Sequence, residues 1–379
     1  MVSTGHGYIM RHTDHPPAGS ERTRMIDFLI IGGGIAGLSV GARLSKHGTV
    51  TVLEAEDALG YHTSGRSAAL FEKGYGPPSV KALNEKSAAF FEVNEYLTPR
   101  GLMLVGAKDQ QELFLKEAQD LGVQQISLDE ATKQIPILNA DTVGHVAISN
   151  TAFDIDTDRM LQDYARIIRR NGGSVLTREK VGSIRKSGHW VVEASDTFEA
   201  RNLVNAAGAW VDEVAQMAEI QPIGITPFRR SMARLPSPGG HDVKNWPMML
   251  GVAETWYAKP DAGKLLVSPC ETDPTSPHDA YADDMVLAEG LARYEAMVTE
   301  PVTRVETNWA GLRSFVSDGT LVLGPDPTDR TFIWTAAQGG YGFQTAPAAS
   351  QLVADLVTGT EPSLDATTVQ VLKPERLRR

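Results

Sequence analysis

A single cysteine, Cys270, stands among 379 residues, so a disulfide framework is excluded and a reduced thiol in a cytoplasmic protein is the expected state. A basic surplus is lacking as well. Against 36 basic side chains stand 47 acidic ones, a formal charge of -11, which argues against a surface made to hold nucleic-acid phosphates or anionic lipid. No uninterrupted apolar run reaches the roughly 18 residues of a membrane span. HExxH and CxxC spacings are missing and the nine histidines are scattered, so no metal is expected. Asp154, Asp156 and Asp158 imitate the opening of a calcium loop, but Arg159 occupies the place of its glycine and Ala165 that of its glutamate. They predict a helix start instead. Gly65-Arg66-Ser67 lacks the second glycine of a nucleophile elbow, which disfavours a serine hydrolase.

What remains is ordinary globular composition, 42% hydrophobic and 22% charged, in a length that suits about two domains. Residues 1–24 are polar, carry His6, His12 and His15, and lack the apolar core of a signal peptide. They are expected to be a disordered extension, or to precede an internal start at Met25.

The first patterned stretch is Ile26 to Ile31, an apolar strand running straight into Gly32-x-Gly34-x-x-Gly37. A helix follows from Ile35 and Ala36 to Leu44, and Val50 to Leu53 forms a second strand ending in Glu54-Ala55. The spacing has a chemical reason. Gly32 permits the tight turn, Gly34 admits a pyrophosphate to the helix N-terminus, and Gly37 lets helix and strand pack closely. Glu54, 17 residues past Gly37, stands where a carboxylate accepts the hydroxyls of an adenosine ribose. The unit predicts dinucleotide binding.

Three later segments point to a particular dinucleotide: Gly60 to Ala69, with His62, Thr63, Ser64, Gly65, Arg66, Ser67, Ala68 and Ala69; Asn205 to Trp210, with Ala206 and Gly208; and Trp309 to Arg313, followed by Gly339, Gly340, Tyr341, Gly342, Phe343 and Gln344 at a helix start. Together they resemble, in order, the flavin-contacting segments of the D-amino-acid oxidase family, and within it most nearly the D-arginine dehydrogenase type. That resemblance spans about residues 25 to 372 and implies FAD, which is expected to be noncovalent because no cysteine lies near these motifs. It implies an α/β fold, a Rossmann-like FAD-binding domain (25–82, 150–222 and 306–373) with a discontinuous α+β substrate domain, mainly antiparallel sheet, from 83–149 and 223–305. It also places Val181 at a backbone contact to adenine, where an ordinary buried strand valine is the simpler explanation.

The same resemblance implies the chemistry: hydride removal from a Cα that bears an amine and a carboxylate, giving a 2-oxo acid and ammonia. Arg313 is expected to grip the carboxylate, with Tyr257 donating to it and Arg230 as a second cation. The Gly340 carbonyl would accept from the amine, and Tyr75, Met248 and Leu250 would wall the pocket. Where the D-arginine type places a histidine and a side-chain-pairing carboxylate, this sequence has Leu70 and Leu102. A neutral, mainly apolar D-amino acid is therefore expected, with Glu72 keeping open a polar alternative. A 2-hydroxy-acid dehydrogenase, an N-methyl-amino-acid (sarcosine-type) oxidase and a non-catalytic flavin subunit are the other readings. The electron acceptor, whether quinone, oxygen or another, stays open. The acid-rich stretch from Asp273 to Asp284 is expected to be a solvated loop or a lid over the site.

Overall fold

A computed structural model describes residues 25–378; the expectation for the first 24 residues lies outside the described ones. The chain is built on two large sheets. In the first, Ser174–Leu176, Val50–Leu53, Ile26–Ile31, Thr197–Asn205 and Phe332–Ala336 run parallel in that order. Antiparallel strands Ser183–Lys186, Trp190–Glu193 and Val322–Pro325 extend it. Helices Ile35–Leu44, Thr157–Arg170 and Gly342–Thr358 cover one face around a core that includes Leu38, Ile168 and Leu352, while Leu29, Trp190 and Trp334 pack on the other. Burial on both faces explains why Ile26–Ile31 reads as a nearly continuous apolar run instead of an alternating one.

The second sheet has eight strands ordered Thr307–Phe315, Thr226–Leu235, Lys264–Ser268, Tyr257–Asp261, Met248–Gly251, Leu102–Ala107, Val143–Ser149 and Gln124–Ile126. All pairs are antiparallel except Met248–Gly251 against Leu102–Ala107. One face packs on helices Leu128–Gln134 and Asp284–Glu295 through Trp246, Trp256 and Tyr294. The other turns toward the first sheet.

Two segments sit differently from the sequence-based division. Thr307–Phe315, grouped there with the cofactor-binding pieces, pairs along its whole length with Thr226–Leu235 and so belongs to the second sheet. The boundary at residue 83 falls inside helix Pro78–Asn94, whose Leu83, Ala88 and Phe91 pack in the same core as Leu38. Neither could be read locally, because sheet partnership and helix docking are decided by distant residues.

Two of the three aspartates begin a helix, with Asp158 in its first turn, while Asp154 lies in the strand Phe153–Ile155. Asp156 caps Thr157–Arg170 by accepting from the Arg159 N–H at 3.1 Å, and no cluster able to hold a metal ion occurs among the described residues. No helix among the described residues is long and apolar enough to cross a membrane.

Candidate active site

The Gly32 turn closes against the neighbouring parallel strand. Its φ is +111°, and a Cβ there would fall 2.3 Å from the Ala206 carbonyl oxygen, so only glycine fits. At Gly37 a Cβ would lie 1.9 Å from the Gly32 oxygen, which is the close strand-to-helix packing expected of that position. Gly34 stands at the N-terminus of helix Ile35–Leu44, which lacks a side-chain cap of its own; instead the Ser64 hydroxyl accepts from the Ile35 N–H at 3.0 Å. Glu54, buried at the end of its strand, takes the Gly33 N–H at 2.7 Å on one oxygen and the Glu56 N–H at 3.0 Å on the other. Each carboxylate oxygen keeps a free lone pair for a further hydroxyl donor.

From this end a cavity of about 630 Å³ runs between the two sheets. Its floor carries Gly32, Gly34, Ile35, Ala36, Glu54, Ala55 and, beside them, Val181. Its middle is lined by His62, Thr63, Ser64, Arg66, Ser67, Ala68 and Ala69 on one side and by Ala206, Gly208 and Trp210 on another. Gly339, Gly340, Gly342, Phe343 and Gln344 close the third side at the start of the Gly342–Thr358 helix. Three of the expected cofactor-contacting residues stay out of the lining. Gly37 and Gly65 pack behind it, against the backbone of Gly32 and Gly60, and Tyr341 faces an adjoining, more open hollow of about 810 Å³.

The far end of the cavity is made by the second sheet. Residues two apart on a strand share a face, so Tyr257, Met248 with Leu250, Arg230 with Met232, and Arg313 all point the same way. Registers bring them side by side: Leu250 lies opposite Tyr257, Met248 opposite Leu102, and Arg313 opposite Phe228, two residues from Arg230. Leu70, Leu102, Met232, Met248 and Leu250 supply an apolar wall. Glu72 lines the cavity too, but it is buried with its carboxylate taken by the Ser149 hydroxyl at 2.9 Å and the Gly74 N–H at 3.2 Å.

Charge at this end is well defined. Burial works against the Arg313 guanidinium, but Tyr75, Tyr257, Glu254 and Cys270 around it outweigh that and hold it above the ordinary arginine value. Burial raises the Tyr75, Tyr257 and Tyr341 phenols, and Glu254 adds to the effect at Tyr75 and Tyr341. At neutral pH the end therefore offers a fixed cation and the neutral hydroxyls of Tyr75 and Tyr257, with that of Tyr341 in the adjoining hollow. Arg230 adds buried Nε and Nη1 atoms with no partner in the protein.

Sequence reasoning missed Met232 of the apolar wall and, more consequentially, Glu254. It lines both hollows, accepts from the Tyr75 hydroxyl at 3.3 Å, and follows Ala253 in a pair of left-handed residues, φ +60° and +50°. Two consecutive non-glycine residues in that region are strained, a state that persists where the surroundings impose it. No motif in Val252-Ala253-Glu254-Thr255 signals this.

The stretch from Asp273 to Asp284 is more than a solvated loop. Asp279 pairs with Arg66 at 2.5 Å and accepts from the Tyr61 hydroxyl at 3.2 Å, and Arg66 also donates to the carbonyls of Ala280 and Ala310 at 2.8 and 2.9 Å. The loop thus clasps the segment that walls the cavity.

A glycine-turn cradle that opens onto an enclosed polar end is the plan of a dinucleotide-dependent oxidoreductase. The profile of the FAD dependent oxidoreductase family matches residues 27–356; the chain belongs to this family, and its cofactor is FAD. A glycerol 3-phosphate dehydrogenase of Caloramator mitchellensis is 25% identical over 88% of this chain and 74% of its own length. An L-2-hydroxyglutarate dehydrogenase of Escherichia coli is 27% identical over 56% of this chain and 54% of its own length. Among solved structures, glycine oxidase from Geobacillus kaustophilus superposes with a TM-score of 0.78 at 21% identity, covering 91% of this chain and 98% of that one. L-proline dehydrogenase from P. horikoshii gives 0.79 at 20%, covering 94% and 98%. The D-arginine dehydrogenase type does not stand out among these relatives. The cavity fits FAD on its own terms, since the Gln344 side-chain amide is buried at its edge with neither polar atom partnered, a state that proteins rarely leave without a ligand or water.

Proposed function

We propose that the protein oxidises the Cα–NH2 bond of a neutral, mainly apolar D-amino acid to the imine, which hydrolyses to a 2-oxo acid and ammonia. One observation carries this reading: the far end of the cavity pairs a buried arginine and a buried tyrosine with an apolar wall, and among the described residues its lining there has no histidine. Arg313 grips the substrate carboxylate with two parallel N–H donors, and the neutral Tyr257 hydroxyl donates to the same group. The Gly340 carbonyl accepts from the amine and orients its lone pair toward the breaking Cα–H bond. FAD, when bound, supplies the two-electron acceptor. An amine oxidised as its free base drives hydride departure with its own lone pair, so no side-chain base is obligatory. The D configuration rests on the run of residues resembling the D-arginine dehydrogenase type.

A second reading is favoured by the names of the relatives, two of which are dehydrogenases of hydroxyl compounds. Oxidising a CH–OH group requires a base for the hydroxyl proton. Glu254 is the carboxylate at the far end left for that task once Glu72 is held by the wall. Anaerobic mixing of the holoenzyme with D- and L-amino acids, N-methyl-amino acids and 2-hydroxy acids separates the readings. Bleaching of the flavin by D-Leu or D-Met is the expected result; bleaching by 2-hydroxy acids alone would overturn the amine assignment.

A further inference from the structure

Lys259 is a buried cation that the proposed chemistry does not use, 8% exposed, on the strand that also carries Tyr257. Two residues apart, the pair points to the same side of the sheet, Tyr257 into the cavity and Lys259 toward the segment that walls it. The Lys259 ammonium donates to the Ala68 carbonyl at 2.5 Å and lies 3.5 Å from that of Ala69. Ala68 and Ala69 both line the cavity. Ala69 has a φ of +22°, a conformation that an alanine adopts only when held there.

Behind the ammonium stands Asp154, whose Oδ1 forms an ion pair with it at 3.0 Å. The other oxygen of Asp154 takes Arg100 through Nε at 2.8 Å and Nη2 at 2.7 Å, and Arg100 is tied in turn to the Lys244 and Trp246 carbonyls. Two cations and one carboxylate leave the cluster with a net charge of +1, one peptide away from the cavity wall. A surface ion pair would carry no such meaning. Here burial leaves the extra charge little screened, and its donors are spent on backbone carbonyls of the wall.

We propose that Lys259 is a positioning residue for the flavin. It pins the strained Ala68–Ala69 segment against the cofactor, and its positive charge favours the reduced flavin, on which negative charge builds up. Asp154 and Arg100 hold the ammonium in place.

The two parts of the role separate in two substitutions. Lys259→Gln keeps a donor for the carbonyls and loses the charge, and Lys259→Met loses both. The readouts are the flavin midpoint potential, from reductive titration against a reference dye, and the FAD dissociation constant, from titration of apoprotein prepared from the holoenzyme. Lys259→Gln is expected to lower the potential while FAD affinity stays near that of the parent. Lys259→Met is expected to lower the potential and weaken FAD at least about tenfold, the loss of a charge-assisted hydrogen bond. If the methionine variant does not fold, the glutamine variant still decides the electrostatic role. An unchanged potential in Lys259→Gln overturns the electrostatic role, and unchanged FAD affinity in a folded Lys259→Met overturns the pinning role.

Discussion

Gly340 stands against Arg313: a β-carbon added at Gly340 would lie 3.0 Å from the guanidinium carbon and from Nη1, and 3.2 Å from Nε. The backbone at Gly340 is not left-handed, so alanine is conformationally permitted there. The new methyl would meet only the end of a flexible side chain, and the guanidinium would have to give by a few tenths of an ångström. Gly340→Ala is therefore expected to keep its melting temperature and its bound FAD while losing about tenfold or more in kcat/KM, because a carboxylate clamp works only in register with the reacting carbon. An alanine variant with full activity would show that the guanidinium position does not matter.

Removing the guanidinium is the harsher test of the same contact. Arg313→Met should cost on the order of 2–4 kcal/mol of transition-state binding, about 30- to 1000-fold in kcat/KM, since the substrate carboxylate is then left unpaired in a desolvated site. The flavin spectrum should stay as in the parent. Near-normal turnover would take Arg313 out of the site.

The cradle was legible in the sequence because it is local: strand, three glycines, helix, strand and carboxylate all fall between Ile26 and Glu54, and Gly32 and Gly37 have backbone contacts that a side chain would destroy. The far end is a different matter. Arg313 faces Phe228 across a pairing of strands 85 positions apart in the chain, and Leu102 meets Met248 across a still longer one. Such registers are set by the packing of the whole sheet, so only a family resemblance could bring these residues together beforehand. Glu254 escaped even that, because its place follows from two left-handed residues that no side-chain pattern announces. The docking of residues 279 and 280 on Arg66 was equally hidden: a segment rich in acids and prolines reads as solvated until its partner is known.

That clasp should govern cofactor retention. The Asp279 carboxyl is held below its ordinary value first by its hydrogen bond to Arg66, so the pairing is complete above about pH 4 and fails only as the pH falls further. Asp279→Ala removes the charge partner and the acceptor of Tyr61 while leaving Arg66 its carbonyl partners. Faster FAD release by a few-fold at pH 7, measured by fluorescence on dilution, is the expected outcome. An unaltered release rate would make the loop a bystander.

Cys270 bears on how FAD is attached. Its thiol is buried, stands in the hollow beside Arg230 and Glu254, and is absent from the lining of the FAD-sized cavity. Burial pushes it up to about 11, so at pH 8 it is almost wholly the unreactive thiol. Acid precipitation should release the yellow cofactor into the supernatant, and iodoacetamide at pH 8 should label native protein far more slowly than denatured protein. Colour held in the pellet would mean a covalent link.

The side chain of the substrate is where the apolar wall makes its strongest demand. Leu70, Leu102, Met232, Met248 and Leu250 surround the space beyond the carboxylate clamp, and Glu72 has both oxygens committed to Ser149 and Gly74. A guanidinium or ammonium placed against the leucines would lose its hydration with no partner, which costs several kcal/mol. Glu254, at the junction with the outer hollow, could relieve that cost for a side chain long enough to reach it. D-Leu, D-Met and D-Phe are therefore expected to exceed D-Arg and D-Lys by at least about tenfold in kcat/KM, roughly 1.4 kcal/mol. Glu254→Gln should leave the apolar substrates within about threefold of the parent, because the variant keeps an acceptor for the Tyr75 hydroxyl. Steady-state rates for the five amino acids, in the parent and in Glu254→Gln, decide the matter. A parent that prefers D-Arg or D-Lys, and loses that preference in the glutamine variant, would transfer the choice of side chain from the leucine wall to Glu254.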